Sequence, residues 1–234
     1  MKFLILLPYF NRPNIVKFAI NSVLSETYEN WELVICDDGS DVTAEEVLSS
    51  MGIQDERIKI KRLNDSIHYK ETVGSRFGKM MNEAGCESDA DYVIILCDDD
   101  GIFPGYLNGL NEFYGENPMI QHSYGHVSIY NPQFFIDTEQ LPEKDLSIHM
   151  NYTHDLNGNC MLDASQVSWK LNKYTESIFP FPQTAALDAV VFQKLFELFG
   201  PCKFNGLVAQ YKGWFVDQMG NRLDQGLGIE PMIQ

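Results

Sequence analysis

Three adjacent carboxylates, Asp98-Asp99-Asp100, follow the apolar run Tyr92–Cys97, and two more, Asp37-Asp38, follow the apolar run Trp31–Cys36. Like charges packed this closely repel one another, so stability alone does not favour the arrangement. Crowded hard oxygens suit Mg²⁺ or Mn²⁺, and such an ion in turn suits a diphosphate. A plainer reading of the same residues is an exposed acidic turn that caps a helix. The chain has neither GxxxxGK[ST] nor a GxGxxG after its first strand, so P-loop and dinucleotide-binding readings lose their main support. A bound phosphate would then be neutralised by an ion and a few side chains rather than by a glycine-rich amide cradle.

The elements that must position these acids alternate in type. Phe3–Leu7 is a continuous apolar run, as a strand buried on both faces would be. Asn11-Arg12-Pro13-Asn14 ends it and starts a helix whose apolar face is Ile15, Phe18, Ala19 and Val23. Trp31–Cys36 reads as a second strand, closed by Asp37-Asp38-Gly39-Ser40, and Thr43 with Glu46 forms a capping box for a short helix. Ile58 and Ile60 alternate with charged residues, which suits a half-exposed third strand. Val73, Phe77, Met80, Met81 and Ala84 recur at helical spacing before the most apolar strand, Tyr92–Cys97. This βαβαβαβ order predicts an α/β fold with a mainly parallel sheet. Ligands of such sheets bind beyond the carboxyl ends of the strands, where both acidic clusters lie.

Beyond Pro104 the pattern changes. A helix carrying Leu107, Leu110 and Phe113 is expected, then short strands at Met119–Ser123 and Val127–Tyr130. Asn131–Asn157 is polar and irregular, and its length suits a lid or binding loop. Cys160–Asp163 suggests another strand, and Thr184–Phe199 a helix with Leu187, Val191, Leu195 and Leu198 inward, stopped by Gly200-Pro201. The last thirty residues, rich in glycine and aromatics, yield no element by pattern. His122 and His126 read as strand residues, whereas Tyr211, Trp214 and Phe215 suit either the core or stacking on a sugar.

The 234 residues suffice for one large domain or two halves sharing a sheet. A net charge of -16 argues against nucleic acid or an anionic membrane as the main partner, and it permits divalent cations. The N-terminal apolar run is too short for a signal-peptide core, and no segment is long enough to span a bilayer. Five widely spaced cysteines with no CxxC pair read as thiols in a reducing compartment, so a cytoplasmic protein without a zinc site is expected.

Four motifs in register carry a resemblance. Ser22-Val-Leu-Ser-Glu-Thr-Tyr-Glu-Asn-Trp-Glu-Leu-Val-Ile-Cys-Asp-Asp-Gly-Ser40 resembles the family-2 glycosyltransferases of the GT-A fold, whose hallmark is a serine-x-leucine-x-Gln-Thr-Tyr segment leading through a strand into Asp-Asp-Gly-Ser. Pro8-Tyr9-Phe10-Asn11-Arg12 is similar to their first-strand turn, and Leu96-Cys-Asp-Asp-Asp-Gly-Ile-Phe-Pro104 to their metal motif. The likeness is collinear from Phe3 to about Leu107, and within the family it is nearest to SpsA-like bacterial enzymes.

The resemblance implies an inverting, metal-dependent transferase with one GT-A domain over residues 1–234. Residues 1–107 would form the half that binds the nucleotide-sugar, a UDP-sugar being the family's commonest choice, and 108–234 the half that binds a glycan or other hydroxyl acceptor. By the same likeness Asp38 hydrogen-bonds the base, with Pro8, Tyr9 and Asn11 lining its pocket and Arg76 nearby. Asp98 takes the ribose, and Asp99 and Asp100 hold Mn²⁺ or Mg²⁺, although Cys97 replaces the usual first acid of the motif. The general base is Asp188, with Leu187 in place of the family's glutamate, and Asp163 is the runner-up. Two alternatives stay open: a nucleotidyltransferase, for which only Arg12 supplies the basic loop, and a catalytically degenerate nucleotide-sugar-binding module.

Overall fold

The computed structural model describes residues 1–63, 73–130, 140, 149–150, 162–171 and 187–213, with only the backbone of 73–76, 129–130, 149–150 and 187–189. Strand β1 (Phe3–Tyr9) is followed by α1 (Val16–Leu24), β2 (Trp31–Asp37), α2 (Ala44–Ser50), β3 (Ile58–Arg62), α3 (Val73–Glu87) and β4 (Tyr92–Ile95). Then come β5 (Gly101–Ile102), α4 (Tyr106–Glu116), β6 (His122–Tyr130), β7 (His149–Met150), a 3-10 turn (Ala164–Gln166), β8 (Val167–Lys170), α5 (Leu187–Phe199) and β9 (Lys203–Gly213).

Because successive strand residues face opposite ways, β1 feeds two cores at once. Phe3, Ile5, Leu7 and Tyr9 join Val16, Ala19, Ile20, Val23, Val47, Leu107 and Leu110 on one side. Leu4 and Leu6 meet Met80, Met81, Ala84, Val191, Phe192 and Leu195 on the other. Helices α1, α2 and α4 thus cover one face of the sheet, and α3 and α5 the other.

Among the described residues nine strands form one sheet in the order β3-β2-β1-β4-β8-β6-β9-β5, with β7 on β6. The first four are parallel. Strand β8 is antiparallel to both β4 and β6, β9 is parallel to β6, and β5 is antiparallel to β9. Strand β1 lies between β2 and β4, so the turn after β1 is flanked by the turns that carry Asp37-Asp38 and Asp98–Asp100. The capping box of Thr43 and Glu46 forms as expected.

The second half differs from its sequence reading in four places. The two short strands expected around Met119–Ser123 and Val127–Tyr130 are one nine-residue strand, β6, and Met119 is 87% exposed outside it. Gly125 hides this continuity. Its pairing with β9 shifts register there, and a Cβ on it would come within 2.7 Å of the Leu207 carbonyl oxygen. Of the strand expected at Cys160–Asp163, Leu162 and Asp163 are not in a strand, Asp163 caps the 3-10 turn, and a strand follows at Val167–Lys170; Cys160 and Met161 lie outside the described residues. Leu198, expected inward, is 49% exposed, while Val191 and Leu195 are buried. Finally, the C-terminal stretch that showed no periodicity contributes β9, which joins β6 to β5.

Candidate functional site

The turn after β1 and the turn after β2 are stitched together. Asp38 donates its backbone N–H to the Tyr9 carbonyl at 3.0 Å. Asn11 adopts φ 49°, a left-handed conformation that asparagine tolerates better than most residues. Its N–H donates to Ser40 Oγ at 3.0 Å, and its Oδ1 accepts the Asp41 N–H at 2.7 Å.

The two acids of the β2 turn divide into different tasks. Asp37 is fully buried: it accepts the N–H of Ser40 at 2.8 Å and of Ala44 at 3.1 Å, and it pairs with Arg62. Arg62 also donates to the Ser40 carbonyl at 2.8 Å, so Asp37 and Arg62 hold the turn in shape. Asp38, the next residue, lies against the Tyr9–Phe10 peptide with 6% of its surface exposed.

Tyr9 is where the structure departs most from the expected pocket. It is fully buried, its hydroxyl donates to the Val42 carbonyl at 2.6 Å, and burial pushes its phenol up to about 12. Its side chain belongs to the core and offers no face to a ligand. Phe10, absent from the expected set, is the aromatic of this turn that reaches solvent, with 36% exposure. The signal was available: Tyr9 is in phase with Phe3, Ile5 and Leu7 at the strand period of two.

Beyond β4, Leu96 extends the pairing by donating to the Leu6 carbonyl, and the chain turns at Asp98 and Asp99. Arg12 reaches across from the β1 turn. Its Nη1 donates to Asp98 Oδ1 at 2.7 Å, and Nη1 and Nη2 both stand 3.3 Å from Asp99 Oδ2. The three side chains keep only 19%, 14% and 11% of their surface, respectively. Burial pushes the Asp98 carboxyl above its usual range, and the Arg12 guanidinium pulls it back. Gly101 permits the next step of the chain, since a Cβ there would lie 2.5 Å from the Phe18 ring.

Asp100 points the other way, into a buried polar network. Its Oδ1 accepts the Gly213 N–H at 3.1 Å, and its Oδ2 accepts from Ser165 Oγ at 3.0 Å and Lys212 Nζ at 3.2 Å. Lys212 also pairs with Asp163 at 2.8 Å, and Gln210 Nε2 donates to Asp163 Oδ1 at 3.0 Å. Burial opposes the charge on Lys212, yet Asp100 and Asp163 together raise its ammonium above the usual lysine range.

Among the described residues around the Asp98–Asp100 turn, two places therefore hold a cation between carboxylates. In the inner one, ligand atoms of Cys97, Asp100 and Asp163 all lie within 4.8 Å of one another. Lys212 already supplies the positive charge there, and burial raises the Cys97 thiol well above its usual range, which makes it a weak ligand. In the outer one, Asp98 and Asp99 offer hard oxygens around the Arg12 guanidinium, and their chemistry fits Mg²⁺ or Mn²⁺. Lys212 and Arg62 were missed by the sequence reading, and Arg12 was seen as part of a turn and as the basic residue of that loop, not as a partner of Asp98 and Asp99. Asp188 is the second residue of α5 and Arg76 lies in α3, but the side chains of both fall outside the described residues. Thr184, Trp214 and Phe215 lie wholly outside them. His122 and His126 sit in β6 beside Phe199 and Phe204, as strand residues.

The chain belongs to glycosyl transferase family 2, whose sequence model matches residues 4–162. It is similar to the protein CgeD of Bacillus subtilis, 30% identical over 121 residues, covering 51% of this chain and 28% of that protein. It is also similar to the Escherichia coli UDP-Glc:alpha-D-GlcNAc-diphosphoundecaprenol beta-1,3-glucosyltransferase WfgD, 30% identical over 141 residues, covering 60% of this chain and 51% of the other. The chain thus spans about a quarter and about half of the length of these two relatives. Among solved structures, S. aureus TarS 1-349 in complex with UDP-GlcNAc superposes with a TM-score of 0.64 at 14% identity, covering 92% of this chain and 59% of that one. The fold is accordingly of the GT-A type, a mainly parallel sheet continued by mixed strands. No helix among the described residues is long and apolar enough to cross a membrane.

Proposed function

We propose that this protein is a glycosyltransferase that moves a sugar from a nucleoside-diphosphate sugar, a UDP-sugar first among them, to an acceptor hydroxyl, with inversion and with help from Mn²⁺ or Mg²⁺. The observation that carries this reading is the convergence of three turns, after β1, β2 and β4, which brings Asp38, Arg12, Asp98 and Asp99 to one edge of the sheet. WfgD supports the donor class, because its name specifies UDP-Glc. The acceptor is taken to be a sugar hydroxyl, for which a lipid-linked glycan is one source.

Each residue has a task in this reading. Asp38 accepts a hydrogen bond from the base, and Pro8, Asn11 and the exposed ring of Phe10 line the same recess, with Arg76 near the base. Tyr9 supports that recess from beneath. Asp98 takes the ribose hydroxyls. Asp99 is the ligand assigned to the divalent ion, which when bound offsets the negative charge of the diphosphate leaving group. Asp100, expected beside it, fixes the turn from within through Lys212, Ser165 and Gly213. Asp188 removes the acceptor proton as the anomeric carbon is attacked. Residues 1–107 serve the donor and 108–234 the acceptor, within one domain. A cytoplasmic location fits the described cysteines Cys36, Cys86, Cys97 and Cys202, all free thiols.

The test is UDP release from a panel of UDP-sugars with Mn²⁺, using wild type and Asp99→Asn. Slow hydrolysis by wild type, lost with native fold in the variant, is the expected result. Binding without turnover would make the protein a nucleotide-sugar-binding module. Pyrophosphate release from a nucleoside triphosphate and a sugar phosphate would make it a nucleotidyltransferase.

A further inference from the structure

Arg12 comes from the turn after β1, yet its guanidinium lies between the two carboxylates assigned to the ribose and the divalent ion. The backbone of this turn is tightly specified. Asn11 is held at φ 49° by Ser40 and Asp41, so the Arg12 stem leaves from a fixed point rather than from a loose loop. The ion pair is largely dehydrated, with no member above 19% side-chain exposure. A divalent cation and a guanidinium cannot share these oxygens without strong repulsion, because like charges a few ångströms apart interact strongly where water is scarce.

We infer that Arg12 and the divalent ion are alternative counter-ions of Asp98 and Asp99, and that Arg12, displaced by the ion, becomes a ligand of the donor diphosphate. This rests on the metal assignment made above. The planar guanidinium matches phosphate oxygens as well as it matches carboxylates, so it can change partners with little movement of its stem. The exchange gives the site an order of events. Without donor, Arg12 neutralises the acidic turn and competes with the ion. With donor, the diphosphate offers the guanidinium an equal partner, and the competition disappears. Ion and nucleotide then strengthen each other's binding through one side chain, and by linkage the strengthening is mutual.

Calorimetry and Mn²⁺ electron paramagnetic resonance on wild type, Arg12→Gln and Arg12→Lys test this without any turnover. Arg12→Gln should bind Mn²⁺ alone about tenfold more tightly than wild type, and UDP in saturating Mn²⁺ about tenfold more weakly. Arg12→Lys, which keeps the charge but not the fork, should resemble wild type for Mn²⁺ alone and fall between the two for UDP. Should Arg12→Gln misfold, the wild-type Arg12 Nε–H resonance serves instead: it should move on addition of diamagnetic Mg²⁺ and move again on addition of UDP. Equal Mn²⁺ affinity in folded wild type and Arg12→Gln, or a resonance unmoved by both additions, would overturn the exchange while leaving the metal assignment intact. Failure of wild type to bind Mn²⁺ even with UDP present would overturn the metal assignment and the exchange together.

Discussion

Asp163 and Asp188 both suit a general base on residue type, but the surroundings of Asp163 count against it. Asp163 has its oxygens engaged by Lys212, by Gln210 and by the Ser165 N–H it caps, in a network that ties β9 to the 3-10 turn. A carboxylate so committed is poorly placed to take a proton from an acceptor. Asp163→Asn should therefore act on folding, lowering stability by about 2 kcal/mol through the lost charge-assisted bonds, with transfer by the surviving folded protein little changed. Asp188→Asn should keep stability and donor affinity and lower transfer by about 100-fold. Denaturation curves and single-turnover transfer rates measured on both variants check this. Collapse of transfer in folded Asp163→Asn, with Asp188→Asn active, would reverse the assignment.

At the scale of elements, Glu26 shows how a residue distant in sequence fixes the chain that follows the Asp98–Asp100 turn. It stands where the family hallmark has glutamine, just beyond α1, and its Oε1 accepts the Gly105 N–H at 3.0 Å. Gly105 is the N-cap of α4 and has no side chain to cap with, so Glu26 supplies the missing acceptor. Burial pushes Glu26 up to about 7, against the pull of the amides of Gly105, Tyr106 and Leu107. The folded state thus holds this proton more tightly than the unfolded chain, which titrates near the ordinary value of 4.5. The contribution is complete below that value and is lost as pH rises through about 7, a loss of up to about 3 kcal/mol. Glu26→Gln should accordingly gain stability over wild type at pH 8, and the gain should vanish near pH 4.5. Urea denaturation at the two pH values checks the difference, in which other titrating groups cancel. A gain independent of pH would mean that Glu26 is not the titrating group.

Across the whole molecule, the order β2-β1-β4 brings the candidate site together. The turns after these three strands emerge side by side, and β9 returns from the far end of the chain to close the inner carboxylates with Lys212. With a formal charge of -16, the protein repels a free diphosphate at long range, so cation and nucleotide should stabilise it jointly. At about 100 times the dissociation constant, a ligand adds roughly 2.7 kcal/mol. For a chain of this size that corresponds to a rise in Tm of about 5–10 °C. Thermal unfolding should show such a rise with UDP and Mn²⁺ together and only a small one with either alone. A full rise with UDP alone would contradict the joint dependence.

Much of this was legible in the sequence, because it is recorded locally. Apolar runs and helical spacing mark the first four strands and the helices between them, Thr43 and Glu46 mark a helix start, and the acids are visible at the strand ends. Family membership follows from these motifs in register. The division of labour within each acidic cluster was decided by the tertiary structure. Asp37 and Asp38 are neighbours of one type, yet Arg62 claims the first. Asp99 and Asp100 are likewise adjacent, yet one meets Arg12, 87 residues away, and the other Lys212, 112 residues away. Periodicity reports only on a residue's own element, whereas a charge takes its role from whichever partner the sheet order brings beside it. The burial of Tyr9 was foreshadowed by strand phase, but the pairing of Gly125 and the return of β9 depended on contacts that no local pattern records.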